Sequence, residues 1–137
     1  MNVIFVNGCF DILHLGHFAL FNYCKELLGE GGRLVVGIDT DRKIKEDKGF
    51  NRPIFSQNER VDVLRDLLEV LNVSGEVHLF DTNQELYEMI KLCRPNLIVK
   101  SDDWSGNVVG SDLAEVRLFR RMEDYSSTEI IHRILGK

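Results

Sequence analysis

Val3 to Val6 are apolar on consecutive positions, and Asn7 and Gly8 stop the run. A strand apolar on every position has to be covered on both faces, as happens inside a parallel sheet and not in a hairpin with one wet side. Leu34 to Ile38 reads the same way. From His17, the positions Leu20, Tyr23, Cys24, Leu27 and Leu28 recur at helical steps until Gly29, Gly31 and Gly32 end the pattern. The chain therefore opens as strand, tight turn, helix, strand.

Ser56 with Glu59, Thr82 with Glu85, and Ser126 with Glu129 each read as a capping box opening an apolar run of helical period. Val77 to Phe80, Leu97 to Val99 and Val116 to Phe119 read as further strands. Alternation of this kind predicts an α/β fold with a single doubly wound parallel sheet, Rossmann-like in architecture. Asp39 to Phe55 is polar, with Gly49 and Pro53, and reads as a long loop or a broken helix. A length of 137 residues with 44% hydrophobic content fits one domain over 1–137.

A formal charge of -5 gives no electrostatic reason to expect nucleic acid or an anionic membrane as partner. Cys9, Cys24 and Cys93 form neither a CxxC pair nor an even set, which suits a reducing cytosol better than a disulfide framework or structural zinc. Neither a signal peptide nor a membrane-spanning stretch is evident, so the expected location is the cytoplasm.

Chemistry concentrates where the first strand meets the first helix: Gly8, Cys9, Phe10, Asp11, Ile12, Leu13, His14, Leu15, Gly16 and His17. Two histidines three apart in a first helical turn stand where unpaired N–H groups and the positive dipole end favour an anion. Gly16 leaves room for phosphate oxygens. With an ordinary pKa of about 6.5, such histidines can donate hydrogen bonds and be drawn toward the charged form by a triphosphate. Asp11 reads either as orienting a histidine or the turn, or as a local cap. Ser126, Ser127 and Thr128 at the last helix start form a second anion cradle, with Ser126 also its N-cap and Arg121 ahead of it. Lys43, Lys45, Lys48 and Arg52 cluster in the polar segment, and Asp102, Asp103 and Trp104 follow the fourth strand, where open α/β sheets bind ligands.

GCFDILHLGH resembles the GxFDxxHxGH signature of the cytidylyltransferase-like nucleotidyltransferases, and the residues from Arg121 to Thr128 resemble that family's RTEGISTT element. The resemblance implies transfer of a nucleoside monophosphate from an NTP to a small phosphorylated sugar or polyol, with release of pyrophosphate. It implies catalytic roles for His14, His17, Lys45, Lys48 and Arg121, the lysines gripping the β and γ phosphates. Nucleotide binding falls to Gly8, Cys9, Phe10, Asp11, Gly16, Asp102, Asp103, Ser126, Ser127 and Thr128, and acceptor binding to Arg60 and Trp104. Mg2+ as cofactor and a homodimer are expected with it. Asp124 stands where the family often has glycine, and Ser101 replaces a glycine of the loop after the fourth strand.

Four passages, NGCFDILHLGH, VGIDTDRKIKEDKGFNRPI, IVKSDD and VVGSDLAEV, are most similar to the heptose 1-phosphate nucleotidyltransferase group, which uses ATP or a relative. SDDWSGN and Arg121–Glu123 are instead similar to glycerol-3-phosphate cytidylyltransferase, which uses CTP. Nicotinamide mononucleotide adenylyltransferases share an SSTEI-like end but carry asparagine and proline where this chain has Asp11 and Ile12. A nucleotide-binding regulatory domain without turnover is the alternative from another class, and both signature histidines speak against it. A class I aminoacyl-tRNA synthetase relative would need a tRNA-binding body that a chain of this length lacks.

Overall fold

The computed structural model describes residues 2–102, 106–120 and 125–137. Its elements run β1 (Val3–Gly8), α1 (Leu15–Leu28), β2 (Arg33–Asp39), α2 (Asp41–Lys48), α3 (Gln57–Val70), β3 (Gly75–Phe80), α4 (Asn83–Cys93), β4 (Leu97–Ser101), β5 (Glu115–Phe119) and α5 (Ser127–Leu135). All strands are parallel in the order β3-β2-β1-β4-β5. The α/β doubly wound reading holds, and the polar segment resolves into α2 followed by a turn. Thr40 caps α2 through its side chain, which is why a segment without an apolar stripe still forms a helix around the buried Ile44.

Alternating residues of each strand feed opposite layers. Ile4, Val6, Leu34, Val36 and Ile38 pack with Phe21 and Cys24 of α1 and Leu64 and Leu68 of α3. Val3, Phe5 and Val35 pack instead with Leu86 and Ile90 of α4, backed by Val108, Val109 and Leu113. Both faces of the central strands are thus dry, the condition their unbroken apolar runs require. The Ser56–Glu59 and Thr82–Glu85 capping boxes both form. Ser126 caps α5 by accepting from Glu129 N at 3.0 Å, while the Glu129 carboxylate lies 3.9 Å from Arg133. Among the described residues no helix is long and apolar enough to cross a membrane, and all three cysteines are free.

With β1 central, the chain winds outward to β2 and β3 on one side and to β4 and β5 on the other. The crevice above the carboxyl ends of β1 and β4 is therefore the topological switch point, where such sheets bind ligands.

Candidate active site

A cavity of about 490 Å³ opens at that crevice, lined by strand-end residues including Asn7, Lys100 and Phe119 and by the starts of α1 and α5. His14 is the N-cap of α1 and His17 its third residue. Nδ1 of His14 accepts from Gly16 N at 3.0 Å, and Nδ1 of His17 accepts from His14 N at 3.2 Å. Each ring thus satisfies an orphan amide of the helix end. A neutral imidazole whose Nδ1 accepts carries its proton on Nε2, so both rings are held as Nε2–H donors. Their centroids lie 3.9 Å apart.

Burial, reinforced by the neighbouring His14, pushes the His17 pKa down to about 3. Without a bound anion, His17 is therefore a neutral imidazole across the physiological range. Protonating it would also cost the bond from His14 N, because a charged imidazole has no acceptor nitrogen. Phe10 holds the ring from below, with centroids 5.3 Å apart, and reaches it from a left-handed backbone (φ 48°) that few bulky residues adopt.

Gly16 is required for a nearer reason than phosphate access. A Cβ there would stand 2.8 Å from Cε1 and 2.9 Å from Nδ1 of His14, so any side chain would push the capping ring away. Tyr125, Ser126, Ser127 and Thr128 form the opposite wall. Ser127 Oγ accepts from Ile12 N at 3.3 Å, tying the second hydroxyl cradle to the signature turn across 115 positions of sequence.

Asp11 and Arg60 are each engaged by the protein's own groups. The Asp11 carboxylate is buried and accepts from Ile54 N and Phe55 N, both at 2.8 Å, with Arg52 Nε 3.5 Å away. These amides lie 43 and 44 positions along the chain, so Asp11 ties the signature turn to the segment before α3 and is not a local cap. The Arg60 guanidinium is fully buried: Nε donates to Phe55 O, Nη1 to Cys9 O and Asp39 O, and Nη2 to Asp41 Oδ1. Four of its five donors are thus spent within the protein, and Arg60 is not among the residues lining the cavity.

The lysines separate as well. Lys48 lines the cavity, with Nζ 3.4 Å from Cys9 Sγ, whereas Lys45 is exposed and does not line it. Lys43 turns inward between Asp47, at 2.8 Å, and Asp39, at 3.8 Å. Cys9 lines the cavity, and Gly8 ends β1 just ahead of it. Asp102 is exposed and does not line the cavity, its backbone N–H donating to Phe119 O. Arg121, Asp103 and Trp104 lie outside the described residues. Sequence reasoning passed over Asn7, Asp39 and Lys100, each a polar residue at the carboxyl end of a core strand. That position was itself the available signal, since ligands in open sheets meet strand ends.

A family model described as cytidylyltransferase-like matches residues 5–133. The chain is 40% identical over 136 residues to a protein named bifunctional protein HldE from Campylobacter fetus, covering 98% of this chain and 28% of that one. It is 42% identical to the protein of the same name from Nitratiruptor, over 96% of this chain and 27% of the relative. The chain thus spans about a quarter of the length of these relatives. A crystal structure of a lipopolysaccharide core biosynthesis protein from Thermoplasma volcanium superposes with a TM-score of 0.67 at 23% identity, covering 92% of this chain and 99% of that one. At that identity the likeness speaks to fold alone.

Proposed function

The chain belongs to the cytidylyltransferase-like family of nucleotidyltransferases, and on that premise we propose that it transfers AMP from ATP to a heptose 1-phosphate, giving a nucleotide-activated sugar and pyrophosphate. The observation that carries the chemistry is the pair of Nε2–H donors at His14 and His17, fixed by the helix end they cap and lining the cavity. A phosphate oxygen of the acceptor attacks the α-phosphorus. The new P–O bond forms as the bond to the bridging oxygen of the β-phosphate breaks, and pyrophosphate leaves with the electron pair. Because the acceptor is already an anion, no strong base is needed; alignment and charge stabilisation do the work. Neutral, pre-oriented imidazoles suit this task, since they donate to developing charge without first exchanging a proton.

Lys48 and Arg121 serve the departing pyrophosphate in this reading, and Ser126, Ser127 and Thr128 the nucleotide. Mg2+ would be held by the triphosphate's own oxygens and would supply further neutralisation of their charge. Among the described residues no group of three or more His, Cys, Asp or Glu side chains could hold a metal, whereas a triphosphate chelates Mg2+ through its own oxygens. The sugar acceptor is supported by four passages resembling the heptose group, which are spread along the chain, while the glycerol-group passages fall only on 101–107 and 121–123. A single domain over 1–137, a homodimer and a cytoplasmic location complete the proposal.

The test is to incubate each NTP with a panel of phosphorylated sugars and polyols and to follow pyrophosphate. Release is expected with ATP and heptose 1-phosphate. Release with CTP and glycerol 3-phosphate alone would replace the acceptor assignment, and none with any pair would overturn the enzyme reading.

A further inference from the structure

Ser101 ends β4 and lines the cavity at the switch point. Its Oγ is buried and, among the described residues, has no hydrogen-bond partner. A buried hydroxyl left unpaired destabilises the fold that carries it, so a native one calls for a use. This one also stands where the family resemblance leads to glycine, a residue that would offer the cavity nothing but backbone.

The sheet decides which part of a nucleotide Ser101 meets. Side chains alternate along β4, so Ser101 shares the face of Val99, which packs in the layer of α1, and Lys100 takes the other. Ser101 is paired in register with Phe119 of the edge strand β5, and the Phe119 ring lies 5.1 Å from that of Tyr23 on α1. The cavity therefore has two unlike ends. Following β1 stand His14, His17 and Lys48, the donors and the charge that suit phosphate oxygens. Toward β5, Phe119 and Leu20, one turn before Tyr23, make an apolar and partly aromatic wall, which suits the flat face of a heterocycle. Ser101 belongs to this second end.

We propose that Ser101 is a nucleoside-recognising residue of the site, its hydroxyl hydrogen-bonding the base or the ribose of the NTP in a contact that glycine could not make. The inference rests on the nucleotidyl-transfer reading. A serine hydroxyl donates one hydrogen bond and accepts others. A nucleoside presents partners of both kinds, ring nitrogens and an amino group on the base and hydroxyls on the ribose. The hydroxyl that weakens the free fold is then the one that strengthens the complex, a conflict of stability with function found at binding sites.

The experiment compares the unaltered chain with Ser101→Ala and Ser101→Gly. Calorimetry follows ATP, AMP and inorganic tripolyphosphate, thermal melts follow the ligand-free chains, and pyrophosphate release is measured alongside. Each substitution is expected to weaken ATP and AMP by the same factor, roughly threefold to tenfold, the scale of one neutral hydrogen bond, and to leave tripolyphosphate within about twofold. The melt of Ser101→Ala should hold or rise, because an unpaired polar group is removed with almost no change of volume. Deoxyribose and unsubstituted-purine analogues of ATP then assign the contact, since the analogue lacking the partner loses its dependence on Ser101. A lower melt of Ser101→Ala, or an equal loss for tripolyphosphate, overturns the proposal by making the hydroxyl structural or phosphate-binding. Unchanged ATP and AMP affinities in both folded variants, with pyrophosphate still released, overturn it and spare the transfer reading. Ser101-dependent nucleotide binding by a chain that releases no pyrophosphate upholds the contact and removes the transfer reading, and no nucleotide binding by the unaltered chain overturns both.

Discussion

His14 and His17 cap one helix end reciprocally, each through Nδ1 and each to a backbone amide within three residues. Serines, threonines and glutamates usually make such a box. Here the capping bonds also dictate the tautomer, so local helix chemistry prepares the donors of the site.

Capping and catalysis can be separated. Asparagine is a good N-cap and glutamine a good partner at the third helical position, so His14→Asn and His17→Gln should keep stability within about 1 kcal/mol. Each amide that caps through its oxygen carries its N–H2 away from the position the imidazole Nε2–H holds, and turnover should fall by roughly 100-fold or more, the scale for one misplaced donor to transition-state charge. Thermal melts and pyrophosphate release check the two halves. Full turnover in a folded variant would remove that histidine from the chemistry.

The depressed pKa of His17 has a consequence for folding. Between pH 6.5 and about 3 the unfolded chain protonates this ring and the native chain does not. The unfolded state binds more protons there, so stability falls as pH falls through this window and is full above it. On the order of a few kcal/mol is at stake. His17→Gln should flatten the pH dependence of the urea midpoint over that interval relative to the unaltered chain. Parallel curves would contradict the buried neutral imidazole.

Lys48 and Lys45 stand one helical turn apart, one at the cavity and one in solvent. Lys48→Met should weaken ATP binding by roughly tenfold to a hundredfold and AMP binding much less, since it removes a charge-assisted bond to the outer phosphates. Lys45→Met should change either affinity by less than about twofold, as for a solvated surface charge. Calorimetric titration with ATP and AMP compares them. Equal effects of the two substitutions would refute the distinction.

Arg60 and Asp11 predict a different phenotype. Arg60→Met strands the Asp41 carboxylate and three backbone carbonyls, and Asp11→Ala strands two amides and Arg52. Each should lower unfolding free energy by about 3 kcal/mol, the range for breaking a buried charged pair. Denaturant titration measures this. An Arg60→Met chain of native stability with a raised acceptor KM would restore its place as a substrate contact.

By itself the sequence determined the sheet class and the first half of the site. Consecutive apolar residues at Val3–Val6 admit only a strand dry on both faces, and the capping pairs at Ser56, Thr82 and Ser126 place helix starts within a residue. His14, Gly16 and His17 were legible because their relations are local: capping bonds and the Gly16 contact act within three positions. Tertiary structure alone decided whether a charged residue faces ligand or loop. Asp11 and Arg60 look like site residues in sequence, yet their partners lie 43, 44 and up to 51 positions away, and burial demanded that those charges be paired within the protein. Lys45 and Lys48 are alike in sequence, and only the placement of the last turn of α2 beside the cavity tells them apart. Asp39 and Lys100 became visible when parallel pairing set the carboxyl ends of β2, β1 and β4 side by side, since the register that gathers strand ends into one crevice is a long-range property.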